Sequence, residues 1–429
     1  MAVLLDLTPL RSAPAYRRLW LGLSVSNLGT QFTVTAVGLQ VYAITGSTFS
    51  VGVLGVCALV PLVVLGLYGG ALVDVYDRRK VALIASIGLW VVSGLLALQA
   101  WFHLDSVLLL YALVALQSAG FAVNNPARSA IIPRLVEAEL LPAANVLQTV
   151  SWNIAFVVGP LLGAFMVASG DFGLAYTVDV VLFSAALWAL WRLPDLPPAE
   201  PTGPDAEPAK RGLASVLEGL RYLATRPNVR MTFVVDLTAM ILAMPRVLFP
   251  AVGVLFLGGG AATTGALSAA FAAGAVLAGL LSGGLVRVHH QGRVIVAAIA
   301  VFGLAVAGFG AVLVGVGSST PTHVLVLALV LAMVFLAVAG GADAVSAVFR
   351  QTILQSATPD QMRGRLQGVF IVVVAGGPRL GDLVLGAGSD WLGESWAALL
   401  GGLACVVLLL VVVGVQRRFL AYDARDPQP

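Results

Sequence analysis

The stretch Gly70-Ala71-Leu72-Val73-Asp74-Val75-Tyr76-Asp77-Arg78-Arg79-Lys80 lies between two apolar runs, each long enough to cross a membrane as a helix. Its charges therefore form a tight hairpin at a membrane surface. Asp74 ends the first run, where a helix C-terminus already carries partial negative charge, so this carboxylate does not help its own helix. Arg78, Arg79 and Lys80 open the second run. On spacing alone the stretch is a solvated turn that keeps positive charge on one side of the bilayer.

The rest of the composition agrees. Of 429 residues, 59% are hydrophobic and 10% charged, whereas a soluble chain carries roughly a quarter charged residues. Such a chain cannot hide its apolar surface from water, so lipid is its solvent. Twelve spans fit, near 17–44, 49–74, 80–102, 106–131, 143–169, 173–193, 229–256, 261–286, 294–316, 322–349, 366–388 and 395–416. The short loops on one side contain no lysine or arginine, and of the 24 basic residues all but Arg246 and Arg379 lie in the loops and termini of the other side or at the span ends that meet them. This asymmetry places both termini in the cytoplasm. Arg11, Arg17 and Arg18 precede the first span with no cleavage site after it, so it reads as a retained span of a multi-pass protein. A net charge of +3 is too small to imply nucleic acid. Cys57 and Cys405 sit alone in separate spans, which argues against a disulfide or metal site.

The middle of the chain breaks the pattern. Pro194, Pro197, Pro198, Pro201, Pro204 and Pro208 mark a linker, and Leu213, Val216, Leu217 and Leu220 form an apolar stripe suited to a helix lying on the membrane surface. The predicted organisation is a six-helix bundle over 1–193, a linker with an amphipathic helix over 194–228, a second bundle over 229–416 and a tail over 417–429. The second half repeats the first. Gly66-x-x-x-Gly70-x-Leu72 recurs as Gly279-x-x-x-Gly283-x-Leu285, and Arg128 recurs as Arg350. Parallel six-helix repeats with a substrate site between them are one of the transporter architectures. Arg287 stands where Asp74 would recur.

These residues carry a family resemblance. Gly70-x-Leu72-x-Asp74-x-x-x-Arg78-Arg79 resembles the loop between helices 2 and 3 of major facilitator superfamily transporters, with Val75 and Asp77 departing from the usual basic residue and glycine. Gly159-Pro160-x-x-Gly163 resembles the helix 5 signature of exporters in that superfamily; on physical grounds it is a kink flanked by close-packing glycines. Asn125-Pro126-Ala127-Arg128, Ile132-Pro133-Arg134-Leu135, Met244-Pro245-Arg246 and Gly376-Gly377-Pro378-Arg379-Leu380-Gly381-Asp382 are similar to the branch that includes the bacterial enterobactin exporter and related actinobacterial exporters. The resemblance implies an all-α integral membrane fold of twelve helices in two parallel six-helix repeats. It also implies that Asp74 forms a conformational latch, with Gly70, Arg78 and Arg79 on its own loop and Arg363 and Arg365 at the start of helix 11 as partners.

Charges inside a bilayer are costly unless paired or hydrated, so the few present are candidates for the mechanism. They are Asp179, Asp236, Arg246, Asp343, Arg379 and Asp382. Arg246 is ten residues on from Asp236, about 15 Å further out along the seventh span. Asp343 falls near the depth of Asp236, and the superfamily resemblance puts both beside the central cavity. Burial and a second carboxylate favour a held proton, and an arginine opposes it. With no arginine expected at that depth, Asp236 and Asp343 are the proton-coupling candidates. Arg379 and Asp382, one turn apart, read equally as a self-neutralising pair or as part of the cavity's charge network with Arg246. Asn27 and Gln31 continue a polar stripe from Ser24, and Gln117 and Asn124 lie two turns apart; both sets read equally as interhelical bonds or as cavity wall.

No nucleotide-binding motif, metal cluster or nucleophile with its base appears, which argues against an enzyme, a catalytic residue or a cofactor beyond the proton gradient. The reading is a proton-driven exporter, acting as a monomer in the inner (cytoplasmic) membrane on a small amphiphilic molecule such as a siderophore. Alternatives are a multidrug efflux pump, an importer or lipid transporter, and a sensor that no longer transports.

Overall fold

The computed structural model describes residues 6–169, 171–196, 221–280, 288–358 and 360–425; the side chains at 67–75, 138, 142, 355, 360–365, 367, 368, 370–372 and 375 lie outside this description. Twelve long helices occupy the described residues. They are α1 (Pro14–Thr45), α2 (Thr48–Val75), α3 (Arg78–Trp101), α4 (Val107–Ile131), α5 (Leu141–Ser169) and α6 (Phe172–Trp191), then α7 (Pro227–Leu255), α8 (Gly260–Leu280), α9 (Gln291–Val316), α10 (Val326–Ser356), α11 (Asp360–Leu392) and α12 (Glu394–Val415). Ten are long and apolar enough to cross a membrane by composition alone. The other two, α1 and α11, have spanning length and carry more polar residues. Large apolar side chains such as Leu108, Leu280, Leu327, Trp391 and Val415 lie exposed on the helices, as expected when lipid is the solvent.

The chain divides into two compact units, Met1–Gln40 with Cys57–Gly212 and Val41–Val56 with Leu213–Pro429. Inside the first, α3 packs on α4 and α6; inside the second, α9 packs on α10 and α12. The same relation among the third, fourth and sixth helices of each half is the internal repeat in three dimensions. The second unit's core runs through Val229, Phe233, Ile299, Phe302, Phe349 and Leu409. Its chain end folds back onto α9, with Phe419 buried and Arg293 Nε donating to Leu420 O at 3.1 Å.

Two expectations change. The seventh helix is not continuous: it stops at Ala243, Met244 is extended (φ −77°, ψ 102°), and a 3-10 turn over Pro245–Leu248 leads into Phe249–Leu255. Pro245 is the cause, because a residue before proline is driven out of the helical region. The 15 Å rise from Asp236 to Arg246 therefore does not apply. The tenth helix runs on to Ser356, which carries Arg350 inside it rather than in the following loop. The amphipathic stripe Leu213–Leu220 and the proline linker from 197 lie outside the described residues.

Candidate functional site

Asp343 and Arg350 are seven residues apart on α10, two turns and therefore on one face. Arg350 reaches between two carboxylates. Its Nη1 forms an ion pair with Asp236 Oδ1 of α7, and its Nη2 lies 3.4 Å from Asp343 Oδ1. The side chains of Arg350 and Asp236 are 5% and 6% exposed, while that of Asp343 is 27% exposed. This corrects the expectation of two aspartates without an arginine. One carboxylate is buried and committed to the guanidinium; the other is partly exposed and lies farther from it.

Arg246 stands on the 3-10 turn where α7 breaks, and it is exposed. It acts electrostatically on Asp343 and on Arg379 and Asp382 of α11. Asp382 Oδ1 is buried without a hydrogen bond, although both Arg246 and Arg379 act on that carboxylate. The six charges thus form one group built from α7, α10 and α11. The start of α2 packs on α11 beside them: a Cβ at Gly55 would come 2.8 Å from Arg379 O. Beyond it, Ser47 Oγ donates to Asp390 Oδ2 at 2.8 Å, Phe49 N to Asp390 Oδ1 at 3.3 Å, and Thr48 Oγ1 to Glu394 Oε1 at 2.9 Å. Asp390 therefore caps α2 from another helix.

The first unit's candidates divide. Ser24 is spent on hydrogen bonds, accepting from Ser151 Oγ of α5 at 2.6 Å and donating to Trp20 O of its own helix at 2.7 Å. Asn27 is half-buried, and Gln31 is buried with its Cβ against Gly159. A Cβ at Gly163 would come 2.9 Å from Phe32 Cα, so Gly159 and Gly163 set α5 directly on α1, and the helix runs through Pro160. Gln117 is half-buried. Asn124 is not a cavity residue: it is buried, and its Nδ2 donates to Ser86 Oγ of α3 at 2.9 Å. Arg128 Nη2 bonds the same hydroxyl at 3.2 Å, and its guanidinium lies 5.6 Å over the Phe183 ring.

The opening loop has work inside its own unit. Arg79 holds the end of α6, with Nη2 on Trp191 O at 2.6 Å, Nε on Leu190 O at 3.3 Å and Nη1 on Asp195 at 2.8 Å. A cation on the last carbonyls of a helix meets its negative end. Asp77 caps α3 by accepting from Lys80 N at 3.1 Å, and it also accepts from Leu196 N at 3.0 Å. Arg78 N closes the junction on Leu196 O at 3.1 Å. Arg78 and Arg79 therefore brace α3 against the end of α6. The side chains of Asp74, Arg363 and Arg365, and Gly70, lie outside the description.

Compared with known proteins, residues 5–429 match the family described as transmembrane secretion effector, a branch of the major facilitator superfamily. The chain belongs to that family. It is 29% identical to the enterobactin exporter EntS of Citrobacter koseri over 99% of this chain and 97% of that one. It is 30% identical to the protein of the same name from Shigella boydii serotype 18, over 97% and 96%. Among solved structures it superposes on the nucleoside transporter NupG with a TM-score of 0.71 at 14% identity, covering 94% of this chain and 99% of that one. A POT family transporter in complex with 5-aminolevulinic acid gives 0.72 at 11% identity, covering 95% and 97%. At those identities the likeness shows the fold. The protein is a multi-pass membrane transporter with the twelve-helix architecture of the superfamily, and not an enzyme.

Proposed function

We infer that this transporter is a proton-driven exporter of a small amphiphilic molecule such as a siderophore. It works as a monomer by alternating access, in the cytoplasmic membrane with both termini in the cytoplasm. The observation that carries the reading is the unequal pair around Arg350. Asp236 is buried on the guanidinium, whereas Asp343 is 27% exposed and 3.4 Å from it. A proton arriving at Asp343 removes a charge that shares the guanidinium, and Arg350 then rests on Asp236 alone. Proton loss restores the shared arrangement. The relatives named enterobactin exporters support the direction and the kind of cargo. The absence of basic residues from one set of loops supports the orientation.

Everted vesicles containing the protein test this. Enterobactin should accumulate when a proton gradient is imposed, and a protonophore should abolish the accumulation. Asp343→Asn should bind enterobactin as the native protein does and lose the gradient dependence. Accumulation that ignores the gradient in the native protein, or full gradient dependence in the variant, sinks the reading. Binding without accumulation points to a sensor, and competition by unrelated cationic dyes points to multidrug efflux.

A further inference from the structure

Asp179, midway along α6, has no part in the charge group of the second unit. It is fully buried. Its Oδ2 accepts a hydrogen bond from Thr33 Oγ1 of α1 at 2.7 Å and another from Ser93 Oγ of α3 at 2.9 Å. Its Oδ1 is buried with no hydrogen-bond partner. The first helix leaves no space there, because a Cβ on Gly29 would come 2.5 Å from Asp179 Oδ1.

Among the described residues, no counter-ion faces the carboxyl group. From α1 it meets Gly29 and Thr33, and the nearest basic residues of that helix, Arg17 and Arg18, are at its start. From α3 it meets Ser93, with Arg78, Arg79 and Lys80 at the far end of that helix. Helix α5 has no charged residue. Arg128 of α4 is turned to Ser86 and stacks on Phe183, one turn along α6. Tyr176, one turn the other way, donates to Gln40 Oε1 at 2.8 Å. A carboxylate so placed would be an isolated buried anion, among the least favourable groups a fold can hold.

Packing does not require an acid in this position. The contact of α9 with α12 holds the corresponding place in the second unit, and it is closed by Gly303 against Gly402, Cys405 and Val406 without a polar side chain. Asp179 therefore has some other reason to be there.

We propose that Asp179 is a proton-binding site of the first unit, held as the neutral acid with α1, α3 and α6 closed around it. A neutral carboxyl group protonated on Oδ2 can donate to one of the two hydroxyls and accept from the other, because a hydroxyl accepts as well as donates, so Thr33 and Ser93 both stay satisfied by the acid. Loss of the proton would leave an anion with two donors and no counter-ion. Deprotonation then requires that α1 part from α6 and admit water. The site is a lock on the helix that carries Asn27 and Gln31, distinct from the carboxylates that share Arg350.

Infrared difference spectroscopy on the purified full chain in lipid at neutral pH tests the assignment. The spectrum of the native protein minus that of Asp179→Asn should contain the carbonyl stretch of one protonated carboxylic acid. That band should persist at pH values where exposed carboxyl groups are ionised, and it should remain in Asp343→Asn. A difference spectrum that shows a lost carboxylate band instead, or no lost carboxyl band, overturns the proposal. Should Asp179→Asn not fold, Thr33→Val serves in its place: removing one hydroxyl partner should move the band to higher frequency. An unmoved band in folded Thr33→Val overturns the proposal as well. Either result is independent of whether the protein exports enterobactin, because no cargo is present.

Discussion

Arg128 and Arg350 hold the same place in the two halves of the sequence repeat, yet their surroundings differ. Arg128 is half-buried, shares the Ser86 hydroxyl with Asn124 and lies over the Phe183 ring, with no carboxylate among its described contacts. Arg350 is 4% exposed and sits between Asp236 and Asp343. Arg128 has a hydroxyl and an aromatic face as its company, and Arg350 has two carboxylates. The repeat therefore reuses a cation on the fourth helix of each bundle, and among the described residues only the second bundle supplies acids to it.

The largest expected effect tests that contrast directly. Arg350→Met leaves Asp236 as a buried unpaired charge and should cost about 3–5 kcal/mol of stability. Arg128→Met should change stability by no more than about 1 kcal/mol, because the lost aromatic contact is offset by relief of an unpaired cation. Thermal unfolding in detergent would show both. Adding Asp236→Asn to Arg350→Met should recover most of the loss. Equal losses in the two arginine variants would show that the repeat positions are energetically alike.

Next come the two carboxylates. Asp236→Asn breaks the buried pair, and its cost should fall near about 3 kcal/mol, since Asp343 remains within reach of Arg350. Asp343→Asn removes a partly exposed, loosely held partner and should cost less than about 1 kcal/mol. The functional order should be the reverse of the stability order. Asp343→Asn should be the well-folded variant that loses gradient-dependent transport, measured by thermal unfolding and vesicle flux on the same preparations.

A smaller effect belongs to the start of α2. Asp390→Ala removes an acceptor for Phe49 N and Ser47 Oγ, and a lost cap costs about 1 kcal/mol. Amide exchange at Phe49 should therefore rise about fivefold, while amides in the middle of α2 stay unchanged. Faster exchange along the whole helix would mean that Asp390 anchors more than the first turn.

The spans were legible because an apolar run of membrane length admits little else, and most structural ends lie within a few residues of those expected. Where the reading failed, the cause was geometric. Ending the tenth helix at 349 put Arg350 in a loop, although its spacing of seven from Asp343 already placed the two on one helical face. Pro245 breaks the seventh helix within the Met244-Pro245-Arg246 motif, and the apolar run on both sides of it hides the break. Asn124 shows the limit of periodicity: spacing tells which residues share a face, but not that Ser86 of another helix lies against it. Asp77 is the extreme case, because the amide it bonds belongs to Leu196, far along the chain.

Asp77 also gives the smallest and most discriminating prediction. In the superfamily pattern its position is usually glycine, which would make this aspartate a departure without a purpose. Here it accepts from Lys80 N and Leu196 N, while Arg79 holds the last carbonyls of α6, so the loop joins two helices of one unit. Asp77→Asn keeps an acceptor at the cap and should cost a few tenths of a kcal/mol, whereas Asp77→Ala should cost about 1 kcal/mol. Asp77→Gly should fall between them, since glycine is a tolerable cap but cannot accept from Leu196. If the contact is a brace, all three variants should transport at the native rate once folded, and the stability series alone should separate them. If turnover slows in Asp77→Asn while stability is unchanged, the charge itself takes part in the conformational cycle, and this stretch is more than a joint between α3 and α6.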